Sequence, residues 1–362
     1  MIKTTAINSL KKDPMMVTWD IGRRCNFDCT YCESTRHDIV SPYTPFEELK
    51  NTFEFIKNWT TIYNTHRKDK IETNINFTGG EPTINPDFWK LIEYIRADSE
   101  PYFLSLTTNG SWGKKYSEKI INNFNGVTIS YHAEASENYK KRTINNILEL
   151  SKTDLWLQVN VMLHVDHWQE TTDVCDLLKE NNIRYNPRPI GDGNQDRTGW
   201  FTDNDGSKRR TSHTYKTEQK VWFFKNLNIP YSKDSGNEGN TLGRQCCGGR
   251  CLKGKVDGEW VPITLVNTEF KNWKCMVDWY FLHIDQHTGL VYHHQTCQAT
   301  HTGRGPIGSL VNADTLLTDL ENRMKNPVPI VCPNDRCGCG MCIPKAKEDS
   351  DFNEIWESYT SA

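Results

Sequence analysis

The chain contains no apolar run approaching the ~20 residues that a membrane span requires. Its opening stretch, MIKTTAINSLKKDPMMV, lacks the apolar core of a secretory signal. No membrane partner is expected, and the protein is expected in the cytoplasm. Charge is nearly balanced, with 43 Lys and Arg against 46 Asp and Glu and a formal net charge of −3. That leaves no global attraction toward nucleic acid, and none is expected as a partner. One local exception, SKRRTSHTYK at 207–216, reads as a solvated loop or as a phosphate-binding surface. No segment recurs at a fixed period, which excludes repeat architectures.

What is present is aromatic and sulfur-rich. The 362 residues include 12 Trp, 14 Tyr and 14 Phe, enough for a sizeable core spread over about two to three domains. There are 13 cysteines, unevenly placed: three at 25–32, Cys175 alone, and nine between 246 and 342. In a reducing compartment such clusters are metal ligands more often than disulfides. Cys175 lies in the helical pattern DVCDLLKENN beside Val174, Leu177 and Leu178 and reads as a buried structural thiol.

Residues 16–190 alternate between strand-like and helix-like runs. Strands are expected at 16–21, 72–77, 103–107, 126–130, 155–163 and 183–189, with amphipathic helices such as 45–59, 86–97 and 137–151 between them. The alternation predicts an α/β fold with a parallel sheet, a partial (β/α)6 TIM-like barrel whose chemistry sits at the C-terminal strand ends. Residues 1–190 would form this barrel and 191–245 a polar connecting segment. A small Cys-rich domain would follow over 246–344, and 345–362 would be a charged tail with a short helix.

The stretch RRCNFDCTYC spaces Cys25, Cys29 and Cys32 as C-x3-C-x2-C directly after the first expected strand. Three readings of the cysteines stand side by side: a zinc site completed by His37 or a distant cysteine, a C-x-x-C redox pair, or an iron–sulfur cluster with one iron left open. The next strand end carries GGEP, Gly79-Gly80-Glu81-Pro82, by itself a turn.

Together these two motifs resemble the radical S-adenosylmethionine (radical SAM) enzymes, whose C-x3-C-x-aromatic-C pattern is matched here with Tyr31 as the aromatic. The resemblance implies a [4Fe–4S] cluster on Cys25, Cys29 and Cys32, with SAM chelated to the open iron and Tyr31 near its adenine. Gly79, Gly80, Glu81 and Pro82 would meet the methionine ammonium; glycines permit close backbone approach and a carboxylate suits a cation. Thr108 and Asn109, in a Thr-Asn-Gly strand end, and Ser130, His132 and Asn160 would line the same cofactor. Ser130 and Asn160 equally suit plain backbone satisfaction, and His132 a structural role. His164 and His167 read as loop residues.

The nine C-terminal cysteines resemble an auxiliary iron–sulfur domain of the SPASM or shorter twitch type. Residues 282–297 look like its β-hairpin, and 305–323 like the short strand and helix that follow. The resemblance implies one or two auxiliary [4Fe–4S] clusters drawing on Cys275, Cys297, Cys332, Cys337, Cys339 and Cys342. The run C-x4-C-x-C-x2-C departs from the family's usual spacing, and Cys246, Cys247 and Cys251 have no counterpart in it, so zinc remains an alternative. Histidines 283, 287, 293, 294 and 301 read as surface or turn residues, one of which could replace a thiolate.

The implied reaction is reductive cleavage of SAM to a 5′-deoxyadenosyl radical that abstracts hydrogen from a substrate. The electron would come from a low-potential donor of flavodoxin or ferredoxin type. A peptide or protein is the leading substrate expectation, by crosslinking, epimerisation or oxidation. About 15 residues precede the first expected strand, which leaves no room for a leader-gripping domain there and counts against a peptide maturase of that kind. The alternative is a small molecule such as a sugar, nucleotide or cofactor precursor. A remote alternative is a non-catalytic iron–sulfur electron carrier.

Overall fold

Six strands run parallel in sequence order, as the alternation predicts. The structure, a computed structural model, describes residues 4–9, 15–32, 37–190, 200–202, 208–210, 215–226, 252–262, 270–277, 280–293, 306–326, 328–332 and 343–360. In chain order the elements begin β1 (Thr4–Ser9), β2 (Met15–Asp20), α1 (Phe46–Thr65), β3 (Thr73–Thr78), α2 (Pro86–Arg96), β4 (Tyr102–Thr108) and α3 (Ser117–Asn123). They continue β5 (Gly126–Tyr131), α4 (Glu137–Leu150), β6 (Trp156–Leu163), α5 (Trp168–Glu180), β7 (Tyr185–Pro189), β8 (Trp200–Thr202), β9 (Lys208–Arg210) and α6 (Thr217–Asn226). The remaining elements are β10 (Leu252–Val256), β11 (Glu259–Pro262), β12 (Lys274–Cys275), β13 (Phe281–Asp285), β14 (Leu290–Tyr292), β15 (Gly308–Ser309), α7 (Ala313–Lys325), β16 (Ile330–Val331), β17 (Lys345–Ala346) and α8 (Asp349–Tyr359).

Strands β2 to β7 form the curved body of an open nine-stranded sheet ordered β15-β14-β13-β2-β3-β4-β5-β6-β7. A parallel sheet covered on both faces would be apolar throughout. Here β2 and β3 instead alternate strictly between buried and half-buried residues. One face, with Val17, Trp19, Ile75, Phe77, Leu104, Leu106 and Ile129, packs into the main core under the helices. The other face, with Thr18, Asn76, Ser105, Thr107, Thr128, Ser130 and Asn160, is only half-buried and faces the concave side of a barrel that does not close.

The helices follow from spacing and capping. In α1, Leu49, Phe53, Ile56 and Tyr63 recur at helical period and are buried. Helix α2 starts where the Asn85 side chain accepts a hydrogen bond from the Asp87 N–H and Pro86 occupies the first turn. Cys175 is fully buried in α5, as a structural thiol should be.

The C-terminal part enters both sheets. Strand β13 lies parallel to β2, with His283 opposite Thr18 and Asp285 opposite Asp20, and so extends the barrel sheet. A second sheet, ordered β11-β10-β1-β17-β12-β16, joins both ends of the chain. The charged tail folds as α8, an amphipathic helix burying Phe352, Ile355, Trp356 and Tyr359. Among the described residues no helix is long and apolar enough to cross a membrane.

Candidate active site

Backbone geometry brings the two motifs together. The cysteine loop leaves the C-terminal end of β2, and the Gly79–Gly80 turn leaves the adjacent end of β3. Ile21 N–H donates to Thr78 O at 2.9 Å, and Glu81 N–H to Arg24 O at 2.8 Å. Gly79 has φ of +85°, and a Cβ there would stand 2.7 Å from Gly22 O. At Gly80 a Cβ would stand 2.2 Å from Arg24 O. Both positions therefore require glycine, the first for its φ and both for the contact.

The Glu81 carboxylate is buried. It accepts from Thr83 N–H at 3.0 Å, Thr83 Oγ1 at 2.6 Å, Thr108 Oγ1 at 2.7 Å and Asn109 N–H at 2.7 Å. Burial pushes its pKa up, against the downward pull of these donors. Its visible role is to tie the ends of β3 and β4 together. Pro82 opens the short 3-10 turn Pro82–Ile84. Asn109 continues the web toward the loop, its Nδ2 lying 2.8 Å from Asn26 Oδ1 and 3.9 Å from Cys25 Sγ.

The loop closes on itself through Cys32 N–H to Cys29 O at 3.1 Å, and Phe27 N–H points at Cys25 Sγ at 3.3 Å. Burial, then the Glu81 charge, pushes the Cys25 thiol up to about 12. Cys29 is likewise pushed up, by burial and by Cys32. Bare Cys25 and Cys29 thiols at this place would stay protonated, so thiolates here would call for a positive metal centre beside them. Sulfur donors alone, on one loop, suit a thiolate-bound iron cluster, and Cys25, Cys29 and Cys32 would hold it.

From the other side β5 and β6 grip the loop. The Tyr31 hydroxyl lies 2.6 Å from His132 Nδ1, and the two rings are stacked with centroids 5.9 Å apart. His132 is half-buried, and desolvation pushes its pKa down to about 4. Glu134 accepts from Thr30 N–H at 2.8 Å and Thr30 Oγ1 at 2.7 Å, and His164 Nε2 braces it at 3.2 Å. Burial raises the Glu134 pKa, but His164 and Thr30 outweigh it and bring it down to about 2.

Ser130 and Asn160 are register partners on the half-buried concave face, beyond the buried loop contacts. Cys275 and Cys332 also come together. Cys275 pairs with Ile330, and Cys332 N–H donates to Trp273 O at 2.8 Å, which puts both cysteines on one face of the ladder. Cys297, Cys337, Cys339 and Cys342 lie outside the described residues, as do Cys246, Cys247 and Cys251. Asp20 was not singled out, and His283, read as a surface or turn histidine, is instead buried in β13, where its side chain meets that of Asp20 at 3.1 Å beside the Gly79 turn. Only the pairing of β13 with β2 brings them together.

The fold and the loop define a class, and comparison with known proteins agrees. Residues 19–197 match the protein family described as the radical SAM superfamily, and the chain belongs to that superfamily. Mycofactocin maturase MftC of Mycobacterium tuberculosis is 27% identical over 97 residues, which cover 27% of this chain and 22% of that protein. GTP 3′,8-cyclase of Nautilia profundicola is 29% identical over 171 residues, covering 44% of this chain and 50% of that protein. The chain thus spans half or less of these curated relatives. Streptococcus suis SuiB, solved bound to S-adenosylmethionine, shares the fold at a TM-score of 0.51 and 13% identity, over 87% of this chain and 68% of that one.

Proposed function

We propose that this chain reductively cleaves SAM and uses the resulting radical to abstract hydrogen from a peptide or protein substrate. The observation that carries the first half is the glycine contact: the Gly79–Gly80 turn lies against the backbone of a loop bearing three thiols, Cys29 buried and Cys25 and Cys32 half-buried. When bound there, a [4Fe–4S] cluster supplies an electron that breaks the sulfonium carbon–sulfur bond of SAM, leaving methionine and a 5′-deoxyadenosyl radical. The chain's own residues then have defined tasks. Glu81 and Asn109 hold the strand ends, and Tyr31, His132 and Glu134 fix the loop. Ser130 and Asn160 offer neutral hydrogen-bonding groups to SAM or substrate on the concave face.

The peptide reading is supported by that concave face. Asn74, Asn76, Ser105, Thr107, Thr128, Gln158 and Asn160 are uncharged amides and hydroxyls, linked for example by Ser105 Oγ to Asn76 Oδ1 at 3.2 Å. Such a lining matches amide groups better than phosphates. The name of the maturase relative, and the solved complex of SuiB with its precursor peptide SuiA, are consistent with it. An auxiliary cluster on Cys275, Cys332 and the later cysteines would exchange electrons with the substrate. A flavodoxin- or ferredoxin-type protein would supply the first electron.

A second reading, an anionic small molecule, has one observation in its favour. Tyr215 lies near the end of the basic stretch and is fastened at the C-terminal end of the barrel, its hydroxyl donating to Leu163 O and accepting from Ile190 N–H, both at 2.7 Å. Lys208, Arg209 and Arg210 precede Tyr215 by five to seven residues in the chain. The deciding experiment is anaerobic reconstitution, reduction, and chromatography for 5′-deoxyadenosine. The wild type should form it, and Cys25→Ala, Cys29→Ala and Cys32→Ala should not. Co-expression with short peptides encoded beside the gene, read by mass spectrometry, then separates the substrates. A peptide mass shift supports the first reading. Stimulation of SAM cleavage by nucleoside triphosphates alone supports the second.

A further inference from the structure

We propose that His283, contributed by the C-terminal part of the chain, is a positioning residue for the SAM-binding loop, acting through Asp20. The inference rests on the reading of Cys25, Cys29 and Cys32 as the cluster site. His283 is 5% exposed. Its Nε2 lies 3.1 Å from Asp20 Oδ2. A carboxylate only accepts, so Nε2 carries the proton and donates. Its Nδ1 is buried without a hydrogen-bond partner. An apolar side chain would fill this place without that desolvation cost, so packing alone gives no reason for a histidine. Stacking on Tyr292, with ring centroids 5.5 Å apart, holds the imidazole plane.

Asp20 is the right lever. It is the last residue of β2, five positions before Cys25, and its backbone backs onto the glycine turn: a Cβ on Gly79 would stand 3.0 Å from both Asp20 Cα and Cβ. The hairpin of β13 and β14 grips this point three times. Besides the imidazole bond, Gln286 N–H donates to Asp20 O at 2.9 Å, and Trp19 Nε1–H donates to Gln286 Oε1 at 3.0 Å. The C-terminal segment sets where the β2 end stands relative to the glycine turn, and through it the geometry in which SAM is received.

The test is electron paramagnetic resonance of the reduced, reconstituted full-length protein titrated with SAM, alongside iron content and melting temperature. His283→Ala should keep its iron and lose SAM affinity about tenfold, the size of effect expected from a residue that orients a metal site from behind. His283→Gln, which keeps an N–H toward Asp20, should recover most of it. A His283→Ala protein that binds SAM as the wild type does overturns the proposal. So does a His283→Gln variant as defective as His283→Ala. Absence of any SAM-dependent spectral change in the wild type would instead overturn the cluster reading itself.

Discussion

Gly80 sits so close to the cysteine loop that a Cβ would stand 2.2 Å from Arg24 O and 2.5 Å from Arg23 O. Both neighbours are backbone, so neither can rotate aside. Gly80→Ala must therefore push the loop away from the β3 end. The expected outcome is loss of ~2 kcal/mol or more of stability, together with at least a tenfold fall in 5′-deoxyadenosine formation. Gly113→Ala is the control, since nothing lies within 4 Å of a Cβ there. Urea unfolding and a product assay on both variants check the contrast, and equal behaviour would contradict the contact.

Glu81 illustrates a carboxylate occupied by the protein itself. Four donors converge on it, two of them backbone N–H groups, from Thr83, Thr108 and Asn109. Glu81→Ala would strand buried donors at a cost of about 3 kcal/mol. Glu81→Gln replaces one accepting oxygen by a donor and should lose nearly as much. If Glu81→Gln melts with the wild type, the four-donor cage is not the residue's main role.

Much of this was legible in the chain. The six parallel strands were expected to within two residues at almost every end, because apolar positions recur at period two and turn residues bound them. The two motifs were legible because glycine and cysteine are demanding residues whose spacing reports a tight contact. The concave face was less so: Asn76, Ser105, Thr107 and Asn160 look like ordinary strand polarity until the register brings Asn76 to Ser105 and Thr107, and Asn160 to Ser130. The entry of β13 into the barrel sheet was not legible, since Leu282 and Ile284 predict a hairpin strand but not its second neighbour. Nor was α8 legible as a core element. Its charges dominate the composition, while Phe352, Ile355, Trp356 and Tyr359 share one buried face.

Glu134 gives the molecule an acid-sensitive clasp. Its pKa is brought down from an ordinary 4.5 to about 2 by His164 and Thr30 against the opposing effect of burial. A carboxylate with a lowered folded-state pKa stabilises fully above its unfolded value. That contribution fades as pH falls from about 4.5 toward 2, where the unfolded chain binds the proton more readily. At neutral pH it should amount to about 2 kcal/mol after allowance for partial exposure. Wild type and Glu134→Gln, compared at equal iron loading, should differ by this much at pH 7 and converge toward pH 3. A difference independent of pH would assign the effect to shape rather than charge.

Cys175 provides a thiol that should not matter to iron. It is fully buried in α5, and burial pushes its pKa up to about 12. Cys175→Ala removes one buried sulfur and should cost about 1 kcal/mol. Iron content and SAM cleavage should match the wild type. Loss of iron in this variant would show a ligand that neither the spacing nor the fold suggests.

Cys275 and Cys332 share one face of a two-strand ladder, and the later cysteine run follows Cys332 by a few residues. In the proposed auxiliary site these two half-buried thiols, two positions apart in register on adjacent antiparallel strands, would share one metal centre. If that centre is an auxiliary cluster, the variant lacking Cys25, Cys29 and Cys32 should still hold about four irons or more per chain after anaerobic reconstitution, with the visible absorption of an iron–sulfur protein. Adding Cys275→Ala and Cys332→Ala to it should remove most of the remainder. Zinc in place of iron, found by metal analysis of the triple variant, would make the C-terminal site structural and leave the barrel loop as the only redox centre.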